Sequence, residues 1–330
     1  MVIKNRGDLS IMNYSQSEGS SNLGFSIDNS LDYYRHQNIP GGDLRVSIVA
    51  HCDMNCLYCH NEGQESSVAK FMSLDTLRSV VTTGIKFGVS KVRLTGGEPL
   101  LHPDVVEMVK MLKKDLSIRS VGINTNATKL SPVMVKELVD SKLDVLVVGL
   151  DHFDSAVSKN SPVGEPSKEI MCRIVEAKRS GLSVQVASVY DESNLDDILH
   201  LAKWCRDNSI LFKVLEFSDN CVAKRVSVEF VDMINLLRTS FELRMGKTVA
   251  LNELFGLHGD GNRILFFHSH CKIRECHECS QMHMRVTADG NAKPCLLRTD
   301  TEYSLIGSDP GDSIRRAIHN LGNGPGNKPL

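Results

Sequence analysis

The chain has 330 residues, 41% of them hydrophobic and 24% charged, which is apolar material enough for a full core. A net charge of -2 argues against a nucleic-acid or anionic-membrane partner, and no stretch approaches the roughly 20 apolar residues of a membrane helix. The N-terminal MVIKNRGDLSIMNYSQSEGSSNLG lacks the apolar core of a signal peptide, so the expected location is cytoplasmic, where clustered cysteines read as metal ligands rather than disulfides.

Residues 1–43 are rich in Ser, Asn and Gly without periodicity and are expected to form a polar leader, binding a partner or a substrate, that ends at Pro40-Gly41-Gly42. From Leu44, short β-branched runs alternate with segments of helical period. LRVSIVA precedes a helix opened by Ser73, KVRLT one opened by His102-Pro103, and SVGINT one opened by Ser131-Pro132. LDVLVVGL, LSVQVAS and ILFKVLEF continue the rhythm. Six such units need crossover helices between parallel strands, which predicts an α/β protein with a partial (β/α)6 TIM-like barrel over residues 44–245. Its site should lie at the C-terminal ends of the strands.

After residue 245 the rhythm changes. NRILFFHSH reads as a strand, and MHMRVTA and NAKPCLL, joined by Asp289-Gly290, read as a hairpin. With four cysteines they make an expected auxiliary module over residues 246–310, followed by a C-terminal helix and tail over 311–330.

Cys52, Cys56 and Cys59 fall on a short loop directly after the first strand. Thiolates select iron–sulfur clusters, and three of them leave one iron of a [4Fe-4S] cube open. A zinc site completed by His51 or His60 has the same spacing. After the second strand comes Gly96-Gly97-Glu98-Pro99, where glycines permit close backbone approach and a carboxylate suits an ammonium group.

These cysteine gaps, the aromatic Tyr58 before the third cysteine, and the Gly96–Pro99 run resemble the radical S-adenosylmethionine (SAM) superfamily. The resemblance implies that Cys52, Cys56 and Cys59 hold a [4Fe-4S] cluster that cleaves SAM to methionine and a 5′-deoxyadenosyl radical, which abstracts hydrogen from the substrate. It implies an electron donor of the flavodoxin or ferredoxin type. It also places Gly96, Gly97, Glu98 and Pro99 at the methionine end of SAM, Tyr58 near the adenine, and Thr125 and Asn126 as further SAM contacts. A polar turn capping the sheet accounts equally for Thr125 and Asn126.

Cys271, Cys276, Cys279 and Cys295 form a second constellation, either an auxiliary [4Fe-4S] cluster or zinc, with His268, His270, His277 and His283 nearby. Two clusters in this order, with the segment RVTADGNAKPCLLR, resemble the GTP 3′,8-cyclase family of molybdenum cofactor biosynthesis over roughly residues 44–300. That family's triphosphate-gripping residues carry over to Arg45 and Arg285. Its other basic or polar positions are occupied by His283, Gln185, Ala187 and Lys213, the last beside Glu216. Arg to Lys loses bidentate geometry. If Cys271 is a ligand rather than a free thiol, it closes the iron on which the family binds guanine. A two-cluster enzyme turned to a ribosomally made precursor peptide, modified or spliced, with a small peptide-binding partner protein, is therefore expected. GTP 3′,8-cyclase and a non-catalytic metal-binding scaffold or sensor are the alternatives.

Overall fold

The structure, a computed structural model, describes residues 42–54, 56, 59, 70–153, 167–217, 228–247, 253–268, 284–293, 302–307, 309–314 and 316. The six expected strands are present and pair in parallel and in sequence order: β1 (Gly42–Val49), β2 (Val89–Gly96), β3 (Ser120–Thr125), β4 (Val145–Gly149), β5 (Val184–Tyr190) and β6 (Leu211–Glu216). A helix follows each: α1 (Leu74–Lys86), α2 (Val105–Lys110), α3 (Pro132–Asp140), α4 (Ser167–Arg179), α5 (Leu195–Asp207) and α6 (Phe230–Phe241). The α/β architecture is that of the partial barrel.

Local chemistry sets the helix starts. Ser73 accepts from the Thr76 N–H to cap α1, and Ser131 accepts from Met134 N–H, with Pro132 opening α3 where its missing donor costs nothing. The second helix starts later than expected. Pro99–Leu101 form a 3₁₀ turn, and Asp104 rather than His102 stands before α2. His102 is withdrawn into the interior, its Nε2 donating to Met72 O at 2.8 Å and its Nδ1 accepting from Asp104 N–H at 3.0 Å, which settles its tautomer.

Strand period decides the two faces of the sheet. Val46, Ile48, Val92, Leu94, Val121, Ile123, Leu146, Val148, Val186, Phe212 and Val214 are buried, and the helices contribute Leu77, Val81, Met108, Leu112, Leu138, Ile174 and Leu201 to the same core. Arg45, Lys91, Arg93, Asn124, Val147, Gln185, Ala187 and Lys213, at the alternate positions, are half-buried and face the inside of the curl.

Strands beyond residue 245 extend this same sheet at both edges. At one edge β9 (Arg263–Phe267) pairs in parallel with β6, and the antiparallel β8 (Glu253–Leu257) and β7 (Arg244–Lys247) continue outward. At the other, β10 (Met284–Val286) pairs in parallel with β1, followed by β11 (Asn291–Lys293) and β12 (Tyr303–Ser304). The short β7, β8 and β12 were not apparent from the sequence, since strands of 4, 5 and 2 residues carry too little alternation to stand out. Among the described residues no helix is long and apolar enough to cross a membrane.

Candidate active site

β1 runs out at Val49, and the chain passes through Ala50 and His51 to Cys52. The end of β2 closes onto this exit. Gly97 N–H donates to Val49 O and Glu98 N–H to His51 O, each at 2.8 Å. Such an approach tolerates only glycine: Gly96 has φ +139°, and a Cβ on Gly97 would stand 1.8 Å from His51 O. The Gly-Gly pair thus braces the backbone that delivers the cysteines.

Glu98 is buried, 1% exposed. Its Oε1 accepts from the Thr125 hydroxyl at 2.5 Å and Leu100 N–H at 2.9 Å, and its Oε2 from Asn126 N–H at 2.7 Å. Burial pushes its carboxyl up to about 7, against the pull of these hydrogen bonds. Gly96 to Pro99, Thr125 and Asn126 are therefore gathered into one assembly at the tops of β2 and β3, and Glu98 is the buried centre that ties the two strand ends together.

Asn126 also reaches the cysteine loop. Its Nδ2 donates to Asp53 Oδ1 at 2.8 Å and lies 3.9 Å from Cys52 Sγ. Thr128 Oγ1 donates to Asp53 Oδ2 at 2.6 Å. Cys52, Cys56 and Cys59 are each half-buried on this loop, and Cys59 N–H turns back onto Cys56 O at 3.0 Å. Burial, then the charges of Glu98, Asp53 and Cys59, push the Cys52 thiol up to about 12, although Met54 N–H opposes them. Burial disfavours ionisation of the Cys52 thiol, a cationic group beside it would favour the thiolate, and soft thiolates fit iron–sulfur ligation. No three Cys, His, Asp or Glu among the described residues are placed to hold one metal ion. Tyr58, His60, Cys271, Cys276, Cys279, Cys295 and His283 lie outside the described residues.

Lower in the barrel a cationic row crosses four strands. Strand pairing sets Lys293 of β11 beside Arg285 of β10, Arg285 beside Arg45 of β1, and Arg45 beside Arg93 of β2. In-register partners share a face; all four are half-buried, and Arg45, Arg93 and Arg285 each lie between buried neighbours. Arg45 Nε is buried without a hydrogen-bond partner among the described residues, and Asp43 Oδ2 lies 4.0 Å from it. Burial pushes the Arg93 guanidinium down; Asp43 opposes this and Arg45 adds to it. Lys91, two residues before Arg93, is pushed down by burial and by Arg119. Lys91, Arg93 and Asp53 were missed in the sequence, although the inward parity of the KVRLT run marks the first two.

On the opposite wall Ala187 pairs with Lys213, and Gln185 sits on the same inward face. Lys213 Nζ lies 5.7 Å from the Phe267 ring centroid. Glu216 is not among them. It shares the parity of Phe212 and Val214, its side chain is 2% exposed, and it pairs with His268 Nδ1, whose ring stacks on Phe230 at 4.4 Å.

The fold and this assembly define a class. Residues 46–205 match the Radical SAM superfamily model, so the chain carries a radical SAM domain and is a radical SAM enzyme, of a superfamily that uses a [4Fe-4S] cluster and SAM. Among its relatives, a probable GTP 3′,8-cyclase of Methanococcus aeolicus is 29% identical over 270 residues, covering 80% of this chain and 88% of its own length. Streptococcus suis SuiB, solved with precursor peptide SuiA, superposes with a TM-score of 0.65 at 18% identity, over 86% of this chain and 67% of that one. Native anSMEcpe with bound AdoMet superposes with a TM-score of 0.60 at 14% identity, over 85% and 81%. At such identities these two structures share the fold.

Proposed function

We propose that Cys52, Cys56 and Cys59 hold the SAM-cleaving cluster and that the substrate is a phosphorylated nucleoside anchored by Arg45, Arg93 and Arg285. The cluster, when bound, supplies the electron that converts SAM to methionine and a 5′-deoxyadenosyl radical. The chain's residues do the rest. Gly96, Gly97 and Pro99 shape the backbone at the methionine end, the Glu98–Thr125–Asn126 assembly orients it, and Tyr58 lies near the adenine. Cys271, Cys276, Cys279 and Cys295 hold an auxiliary cluster.

The observation that carries the substrate class is the row Lys293–Arg285–Arg45–Arg93. Half-buried like charges repel and lose hydration, so such a row costs free energy until an anion sits on it. Among the described residues Asp43 and Glu302 offset part of that charge. Guanidinium forks match phosphate oxygens two at a time. The relatives named probable GTP 3′,8-cyclase agree with this choice and make GTP the first nucleotide to test.

A second reading keeps a ribosomally made precursor peptide, as the lost basic positions at Gln185 and Ala187 suggest and as the peptide bound to SuiB illustrates. On that reading residues 1–43 or a small peptide-binding partner protein deliver the peptide. Either reading requires a one-electron donor of the flavodoxin or ferredoxin type.

The test is calorimetry of the reconstituted enzyme with GTP and with inorganic tripolyphosphate, followed by mass spectrometry of the nucleotide after reduction with SAM. Arg45→Ala and Arg93→Ala should each weaken both ligands by at least about tenfold, the scale of one charge-assisted contact. Absence of binding by either anion, with no nucleotide product, would turn the assignment to the peptide.

A further inference from the structure

We propose that Asp53 is a positioning residue of the cluster loop, whose carboxylate, clamped by Asn126 and Thr128, holds the Cys52 arm in place and keeps a negative charge beside its thiol. This rests on the reading that Cys52, Cys56 and Cys59 carry the cluster.

Asp53 directly follows Cys52, and its side chain is 10% exposed. Both oxygens are engaged: Oδ1 accepts from Asn126 Nδ2 at 2.8 Å and Oδ2 from the Thr128 hydroxyl at 2.6 Å. Charge-assisted bonds of this length are the strong kind. The partners are themselves fixed. Asn126 N–H is held on Glu98 and Ala127 N–H on the Thr125 hydroxyl, while Arg173 Nη1 donates to the Ala127 and Thr128 carbonyls at 3.3 and 2.8 Å. A loop of short residue spacing is thereby pinned to the rigid top of β3, and Asn126 becomes a strut between Glu98 and the cysteine loop.

Packing alone does not call for a charge here. Asp53 Oδ1 lies 4.0 Å from Cys52 Sγ, where a carboxylate repels a thiolate. Lys129 Nζ stands 3.8 Å from Asp53 Oδ2, but its side chain is 44% exposed and water screens it. A fixed negative charge beside a cluster ligand stabilises the oxidised form and lowers the reduction potential, since net charge and hydrogen bonds to sulfur are among the determinants of that potential. A lower potential suits delivery of an electron into the sulfonium of SAM.

The full chain, reconstituted anaerobically, is compared with Asp53→Asn, Asp53→Ala, Asn126→Ala and Cys52→Ser. Iron content, the rate of iron loss to a ferrous chelator and an EPR-monitored redox titration are measured, following the signal that changes on adding SAM. Asp53→Asn keeps the clamp: the Thr128 hydroxyl accepts from the introduced amide and donates instead to Asn126 Oδ1, 2.8 Å away. Only the charge goes. Its midpoint should rise enough for about a tenfold change in the oxidised-to-reduced ratio, about 59 mV for one electron. Asp53→Ala and Asn126→Ala, which remove the clamp, should lose iron at least about tenfold faster, and Asn126→Ala retains the test should Asp53→Ala not fold. An Asp53→Asn midpoint at the wild-type value, with wild-type rates of iron loss in both alanine variants, overturns the proposal. A SAM-sensitive signal that survives Cys52→Ser overturns the ligand reading beneath it instead.

Discussion

Replacing Gly97 by alanine attacks the junction between β2 and the cysteine loop through a single methyl group. The added Cβ would meet only backbone: His51 O at 1.8 Å, His51 C at 2.2 Å and Cys52 N at 2.8 Å. The His51 carbonyl must retreat by about 1.2 Å to reach even a 3.0 Å separation, and no side-chain rotation can relieve this. Retreat breaks the bonds from Gly97 N–H to Val49 O and from Glu98 N–H to His51 O. Two net hydrogen bonds at about 1 kcal/mol each, with about 1–3 kcal/mol of overpacking, give a cost of roughly 3–5 kcal/mol. For a chain of 330 residues that lowers Tm by about 4–7 °C. The effect should be local first. Iron bound by the cysteine loop after anaerobic reconstitution should fall by more than half, while the far-ultraviolet circular dichroism stays near wild type. A Gly97→Ala protein with wild-type melting and wild-type iron content would refute the close approach on which the site is built.

Two further outcomes follow from the same geometry. Glu98 has its carboxyl raised from 4.5 to about 7 by burial, so the folded chain holds a proton that the unfolded chain has released between those values. Stability of the metal-free protein contributed by this group is therefore highest below pH 4.5 and declines by about 3 kcal/mol as pH rises through 7. Urea denaturation across that range checks the sign, and Glu98→Gln should flatten the profile; a profile unchanged by that substitution would remove the protonated Glu98 from the account. Ser73→Ala removes the acceptor of the Thr76 N–H at the start of α1 and should cost about 1 kcal/mol in the same assay, with SAM cleavage unaltered. Equal stability of that variant would mean that α1 is held by packing of Leu77 and Val81 alone.

Much of the barrel is legible in one dimension because each element carries its own signal. Alternation in LRVSIVA or SVGINT and capping by Ser73 or Ser131 are local, and local physics suffices to place them. His102-Pro103 misled for a related reason. A proline marks a helix start well, but the ring of His102 found a buried partner in Met72 O, and the turn at Pro99–Leu101 absorbed the residues ahead of α2. Glu216 could have been set apart from Lys213 by parity alone, since residues three apart on a strand face opposite sides.

By itself the sequence determined the radical SAM assignment, because Cys52, Cys56, Cys59 and Gly96–Pro99 each lie within a few residues and their spacing is the chemistry. Tertiary structure alone decided what surrounds them. Arg45, Arg93 and Arg285 are 48 to 240 positions apart in the chain and become neighbours only because β1 pairs with β2 on one side and with β10 on the other. Asp53 and Asn126 meet across 73 positions because the tops of β1 and β3 rise on either side of the Gly97 turn. Spacing encodes what one loop can bind, whereas strand register, a property of the whole sheet, determines which distant side chains share its cavity.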